Sequence, residues 1–373
     1  MSYVLAALLC GSLVYCILVM VAAGKYLAAS PAALPHLLPP ISILKPLSGL
    51  DDGLEQNLIS FFEQDYSDFE ILMAFRTTDD AAYPLVAEIC ARYPAVHSRI
   101  LLVGEPPWPN AKVWSLHQMM NAAANDLLVM SDSDIRVSPN MLQIIAAEFA
   151  DPKLGVTTCP YRAVPGKSFW STLEALGMNT EFLGGIVVAR MLEGMRFAVG
   201  PTIAARRSVI ESIGGWDRLR QYLAEDFVLG QFAADAGHTV ALSSFVVEHR
   251  IGNESLTANA LHRIRWNRST RRSRPAGYVG QLFTNPIPLA LLLMAVAPAW
   301  WPMLLVTAAV RFAAAYATAS VILNDPLCRK LWFLIPLQDV VSFVFWVAGF
   351  FGNTIVWRGI RYKLLADGRF ERA

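Results

Sequence analysis

The chain has 373 residues, 55% hydrophobic and 16% charged, with a formal net charge of +1 and a mean hydropathy of +0.40. That is too apolar for an ordinary soluble protein and too polar for a bare bundle of membrane helices, and near-neutrality gives no ground for a nucleic-acid partner. The five cysteines, Cys10, Cys16, Cys90, Cys159 and Cys328, form no CxxC pair, so neither a disulfide framework nor a cysteine zinc site is expected, which suits a reducing compartment. Tyr3 to Ala23 carries no charge and is long enough to cross a hydrocarbon core. Lys25 follows this run rather than preceding it, so residues 1–30 read as an uncleaved anchor with its basic end in the cytoplasm.

From about residue 31 to 280 the texture changes to that of a soluble domain. Short apolar runs, ISIL (41–44), FEILMAF (69–75), RILLV (99–103) and LLVM (127–130), alternate with helical patterns such as LEQNLISFFEQ (54–64) and AYPLVAEICARY (82–93). This alternation predicts a mostly parallel sheet with helices on both faces, whose ligands bind beyond the carboxyl ends of the strands. The run LLVM ends in SDSD, which sets Asp132 and Asp134 at i and i+2, pointing the same way if the chain stays extended. Two like charges on one side call for something positive between them. A divalent cation carrying a phosphate ester is one answer and solvent exposure the other. A second acidic pair, Asp79-Asp80 in TTDDAA, follows another predicted strand.

Further along, FLGGIVVARMLEGMRFAVGPT (182–202) reads either as a buried helix of this domain or as a segment lying on the bilayer and lining a lipid entrance. In YLAEDFVLG, Glu225 and Asp226 stand near the start of a predicted helix, where they could serve as caps or as a site. The dense basic run 262–274 opens with HRIRW. Its Arg263 and Arg265 could grip a diphosphate, with Trp266 stacking nearby, or the run could face anionic lipid.

Residues 281–357 are predicted membrane segments. Phe283–Leu323 is long enough for two crossings with PAWWP (298–302) as the turn, and Arg311 inside it must face protein or snorkel. A third block, 331–357, has Asp339 as its one acid, and 358–373 reads as a basic tail. Charge bias puts both 262–274 and the tail in the cytoplasm, so the last block either bends back or breaks the rule.

Taken in order, the motifs ISILKPLSGLDDGLEQNLISFFEQDY, TTDDAA, NAK (110–112), SDSDIRV, CPYRA (159–163), GGW (214–216), YLAEDF and HRIRW resemble the family-2-like glycosyltransferases that work at membranes. Within these, the chain is most similar to the ceramide glucosyltransferase family (family 21), a group that includes related bacterial hopanoid glycosyltransferases. The resemblance covers roughly residues 41–275 and the flanking membrane segments. It implies a GT-A, Rossmann-like α/β domain that transfers a hexose, glucose by family expectation, from a UDP-sugar to a lipid hydroxyl with inversion.

By the same resemblance, Asp226 is the general base. Asp80, Lys112, Asp132, Arg265 and Trp266 hold the donor, and Asp132 and Asp134 bind Mg²⁺ or Mn²⁺. Glu225 and His262 position acceptor or diphosphate. The family has Gln or Arg where this chain has His262, a departure that leaves this residue's role open. An acceptor in the membrane also follows independently, because a soluble sugar acceptor needs no membrane-bound catalyst. Ceramide is the first acceptor to consider and a hopanoid polyol the second. A processive polysaccharide synthase and a non-enzymatic nucleotide-binding membrane protein are the remaining alternatives. The expected setting is a bacterial inner membrane, with the catalytic domain facing the cytoplasm.

Overall fold

The computed structural model describes residues 1–29, 38–357 and 359–373. The boundary expected at residue 30 and Arg358 of the basic tail lie outside them. The chain forms two compact units, one of Pro31–Tyr161 and Met195–Gly252, the other of Met1–Ser30, Arg162–Gly194 and Asn253–Ala373. The expected division at residue 280 is therefore not where the chain parts, since 162–194 and 253–280 group with the apolar helices.

The first unit is built on a seven-stranded sheet. Its spatial order is His97–Leu102, Phe69–Phe75, Ile41–Pro46, Leu127–Ser131, Thr202–Arg206, Leu154–Thr158, Thr239–Leu242. All neighbours are parallel except at Thr202–Arg206, which runs antiparallel to both of its partners. Every residue of Leu127–Ser131 is buried, as expected for a central strand covered on both faces. The four apolar runs read from the sequence are the four parallel strands on one side of the sheet. Because Thr202–Arg206 is reversed, its entry loop at Gly200-Pro201 comes to the edge where the parallel strands end, and Asp132 N–H donates to Pro201 O at 3.1 Å.

The second unit is helical. Ser2–Leu27, Pro298–Ile322 and Pro326–Gly349 are each long and apolar enough to cross a membrane, and Pro275–Phe283 with Pro286–Val296 qualifies as a pair bent by 58°. These helices mark a membrane protein. PAWWP begins the Pro298–Ile322 helix. Helix Leu183–Glu193 packs on Ser2–Leu27 in this unit. Gly184 lets the Val19 side chain approach, and Arg190 sits over the Tyr26 ring at 5.5 Å. Of the two readings of 182–202, a buried helix of the sheet domain is thus not what forms. Its first part joins the apolar helices and its last residue starts a strand of the sheet.

The two charges that looked costly solve each other's problem. Arg311 is 3% exposed and Asp339 0%. Arg311 Nε and an Nη donate to the Asp339 carboxylate at 2.8–3.1 Å, and Thr180 Oγ1 accepts a further bond at 3.2 Å.

The basic run 262–274 is likewise spent inside the unit. Arg263 donates to Ser342 Oγ at 2.6 Å and Arg274 pairs with Glu193 at 2.7 Å. Arg268 and Arg271 donate to the carbonyls of Phe350, Phe351, Gly352 and Thr354. Those carbonyls follow the end of helix Ile335–Gly349, where backbone oxygens lack partners and the helix dipole favours cations. Arg268 and Arg271 therefore cap a helix, and Arg263 is engaged inside the unit. The expected tail is a strand meander, in which Thr354–Trp357, Ile360–Leu364 and Phe370–Arg372 pair antiparallel. Ile355, Tyr362, Leu364 and Phe370 are its buried hydrophobic side chains.

Candidate active site

The sheet unit carries the acidic cleft. Strand Leu127–Ser131 ends and the chain delivers Asp132 and Asp134 beyond its carboxyl end. Helix Ala111–Ala122 starts there because Asn110 caps it, its Oδ1 accepting from Lys112 N at 3.0 Å and Val113 N at 3.2 Å. The other end of the Asn110 amide donates to Tyr222 O at 2.9 Å and Glu225 Oε2 at 3.2 Å. One asparagine thereby joins the start of this helix to the start of helix Glu225–Asp235. In the motif NAK it is thus the capping residue that locates the lysine.

Lys112 Nζ lies 2.7 Å from Asp132 Oδ1 and 3.1 Å from Glu225 Oε1. Burial alone would lower its pKa, but the two carboxylates win and hold it above the usual lysine range. Burial raises Asp132, and Lys112 recovers only part of the shift. Burial acts to raise Asp134, but His249 and Lys45 together with a backbone hydrogen bond outweigh it, leaving this carboxyl below the usual range. His249 Nε2 stands 3.0 Å from Asp134 Oδ2, from a strand, Val247–Arg250, that pairs antiparallel with Ile135–Arg136.

Asp226 lines the same cleft as Lys112, Asp132 and Glu225, with Trp216, Ile203 and Leu229 as apolar walls. Neither acid of the Glu225-Asp226 pair caps its helix; the N-cap is Ala224 and both lie in the first turn. Burial, reinforced by Glu225 next to it, pushes the Asp226 carboxyl up to about 7, against the pull of Lys112. A carboxyl tuned to neutrality and facing a cleft suits proton transfer. Gly200 leaves it room: a Cβ there would come within 2.8 Å of Asp226 Oδ2. Gly200→Ala is therefore expected to turn the Asp226 carboxylate aside and lower kcat by up to about a hundredfold, since an ångström of misplacement can cost that much. Thermal unfolding of the purified variant should be little changed, because the clash falls on a rotatable side-chain end.

Asp80 plays a different part in the same unit. Its two carboxylate oxygens each lie 3.0 Å from Gly49 N–H, and Oδ1 accepts from Ala82 N–H at 2.9 Å. It ties the loop after the first strand to the loop after the second. Asp79 is exposed. His262, Arg265 and Trp266 belong to helix Leu256–Ser273 of the other unit. There the Trp266 ring lies 4.5 Å from His262 and 6.4 Å from Phe182.

Three residues with evident roles receive none from the sequence reading, although Lys45 and Asn110 lie inside its motifs. Lys45 is fully buried, bonds the Asp132 carbonyl and Ser131 Oγ, and is pulled down to about 7 by burial against the opposing pull of Asp132, Asp134 and Asp51. Asn110 and His249 are the others. All three are single residues, without the paired-charge signal that exposed the acids.

Asp132 and Asp134 have the chemistry of a cation site. Asp134 Oδ1 is buried without a hydrogen-bond partner, and carboxylate oxygens are the donors that hard divalent cations prefer. The residues fit such a group.

A mixed sheet of this order, with two acids beyond a central strand, defines a GT-A type of fold. A solved mannosyltransferase from Pyrobaculum calidifontis, in complex with GDP-Man and Mn2+, shares that fold. The TM-score is 0.54 at 18% identity, covering 92% of this chain and 97% of that one. The sequence profile of Glycosyl transferase family 21 matches residues 4–370, and the chain belongs to that family. It is similar to ceramide glucosyltransferase 1 of Caenorhabditis elegans, 30% identical over 209 residues, which are 56% of this chain and 44% of that protein. A ceramide glucosyltransferase of Komagataella phaffii is 29% identical over 122 residues, 32% of this chain and 24% of that protein. The match spans less than half the length of either relative.

Proposed function

We propose that the protein is a membrane-bound inverting glycosyltransferase that moves a hexose from a UDP-sugar to a hydroxyl of a lipid, with glucose and ceramide as the first pair to test. The observation that carries this reading is the meeting of Asp226 with Lys112 and Asp132 in one cleft of the sheet unit. Family membership supports it, as do the ceramide glucosyltransferase relatives.

Asp132 and Asp134 would hold Mg²⁺ or Mn²⁺, which supplies positive charge to the donor's diphosphate and its departing nucleotide. Lys112 adds a second positive charge beside Asp132. Asp226, as the carboxylate, takes the proton from the acceptor hydroxyl as its oxygen attacks the anomeric carbon. Asp226 acting as base on the acceptor hydroxyl, with no covalent intermediate on the protein, corresponds to direct displacement with inversion. Asp80 would serve the donor by shaping the loops that receive the uridine. Arg265 and Trp266 would act on diphosphate or acceptor from their own helix, with the sheet unit on the cytoplasmic side of a bacterial inner membrane.

The test is incubation of the purified protein with labelled UDP-sugars and, separately, ceramide or a bacterial lipid extract. Mass spectrometry should find a single hexose on ceramide. A glycosylated hopanoid would move the acceptor assignment, and a sugar polymer or no transfer would overturn the reading.

A further inference from the structure

A second cluster of ligating groups lies outside the acidic cleft, in the unit that holds the apolar helices. Glu174 is on helix Phe169–Gly177, His262 is on helix Leu256–Ser273, and Glu254 lies two positions before the latter begins. One ligand atom from each of the three lies within 4.8 Å of the others.

The hydrogen bonding of these atoms is what points to a ligand. His262 Nδ1 is 3.1 Å from Glu174 Oε1 and 4.0 Å from Glu254 Oε1. The closer pair is within bonding distance, yet neither atom makes a hydrogen bond, and both are buried. Glu254 Oε2 is buried in the same state. Glu174 is 3% exposed, and its other oxygen is engaged by Asn259 Nδ2, so the carboxylate is not at liberty to turn toward water. Lone pairs that approach one another without a donor between them converge on a shared acceptor of electrons. Glu174 is buried and Glu254 half-buried, so their charges are costly where they stand. A protonated His262 and the Arg265 charge that acts on Glu254 would offset charge here, but a divalent cation alone uses all three lone pairs.

We infer that Glu174, Glu254 and His262 form a divalent-cation site of the zinc class, distinct from the Asp132–Asp134 pair. One imidazole and two carboxylates, with a fourth position for water, are a recognised ligand type for that ion. The cation ties helix Phe169–Gly177 to helix Leu256–Ser273. It gives His262 a role of its own. Cysteine spacing gives no sign of such a site, because no cysteine takes part.

The test uses the full chain in detergent, stripped with a chelator and titrated with Zn²⁺ by calorimetry, with bound metal counted by mass spectrometry. An Asp132→Asn/Asp134→Asn background removes the other carboxylate pair. In that background one equivalent of Zn²⁺ should bind and raise the thermal unfolding midpoint. Both effects should disappear on adding His262→Ala or, separately, the milder Glu254→Gln. In the otherwise wild-type chain, His262→Ala should lower the Zn²⁺ count by one. Absence of the equivalent in the double-Asn background, or its survival in both ligand variants, would overturn the site. Sugar transfer is not read in this experiment, so its result stands apart from that of the proposed reaction.

Discussion

Asp226→Asn is expected to lower turnover by about 10²–10⁴-fold, the usual contribution of a positioned general base, while binding of the UDP-sugar persists. Donor affinity should survive because Asp132, Asp134 and Lys112 are untouched. The same carboxyl sets a pH signature. With its pKa raised to about 7, the free protein loses the basic form below neutrality. The value of kcat/KM should therefore fall about tenfold per pH unit on the acid side, and the residual activity of the asparagine variant should lack this limb. The stability effect has the opposite sign. A carboxyl whose folded pKa is raised stabilises the fold below its unfolded pKa, and that contribution is lost as pH rises through about 7. Asp226→Asn should thus unfold at the same or a higher temperature than the parent at pH 8, although it turns over poorly. Unchanged turnover in this variant would remove Asp226 from the mechanism, while a drop in melting temperature at pH 8 would refute the burial penalty.

Asp339→Asn is expected to destabilise the helical unit by about 3–5 kcal/mol, the usual cost of leaving one partner of a buried ion pair uncompensated. Arg311 is 3% exposed and has Thr180 as its other side-chain acceptor, so no water is at hand to replace the carboxylate. The double replacement Arg311→Met/Asp339→Leu should recover most of the loss, because removing both charges leaves none buried. Thermal unfolding of the purified protein in detergent, run as a double-mutant cycle, measures the coupling. Additive losses at the two positions would show that the pair does not act as a unit.

How much of this could be read from the sequence varied with the kind of signal each residue left. The strands Ile41–Pro46, Phe69–Phe75 and Leu127–Ser131 announced themselves because a strand buried on both faces is one continuous apolar run. The acids beyond them were legible because a strand end fixes where the next residues go. The strand Thr202–Arg206 was not, since an apolar stretch shared by a helix and a following strand has no period that marks the change. The charge density of 262–274 was plain, but lipid phosphates and the end of a helix attract arginine alike, and only the carbonyls of Phe350, Phe351, Gly352 and Thr354 decide between them. Arg311 and Asp339 each stand out in the sequence as a lone charge in an apolar block, and two opposite charges in neighbouring blocks are the signal of a pair.

The division of the chain into interleaved segments bears on how the molecule comes to be made. Helix Ser2–Leu27 precedes in the chain the elements it packs on, Leu183–Glu193, Pro286–Val296 and Trp301–Ala315, which follow much or all of the sheet unit in synthesis. Its contacts with them can form only once they are made. Assembly of the helical unit is thus a late, long-range event, and loss of the later helices would leave the earlier one without those neighbours.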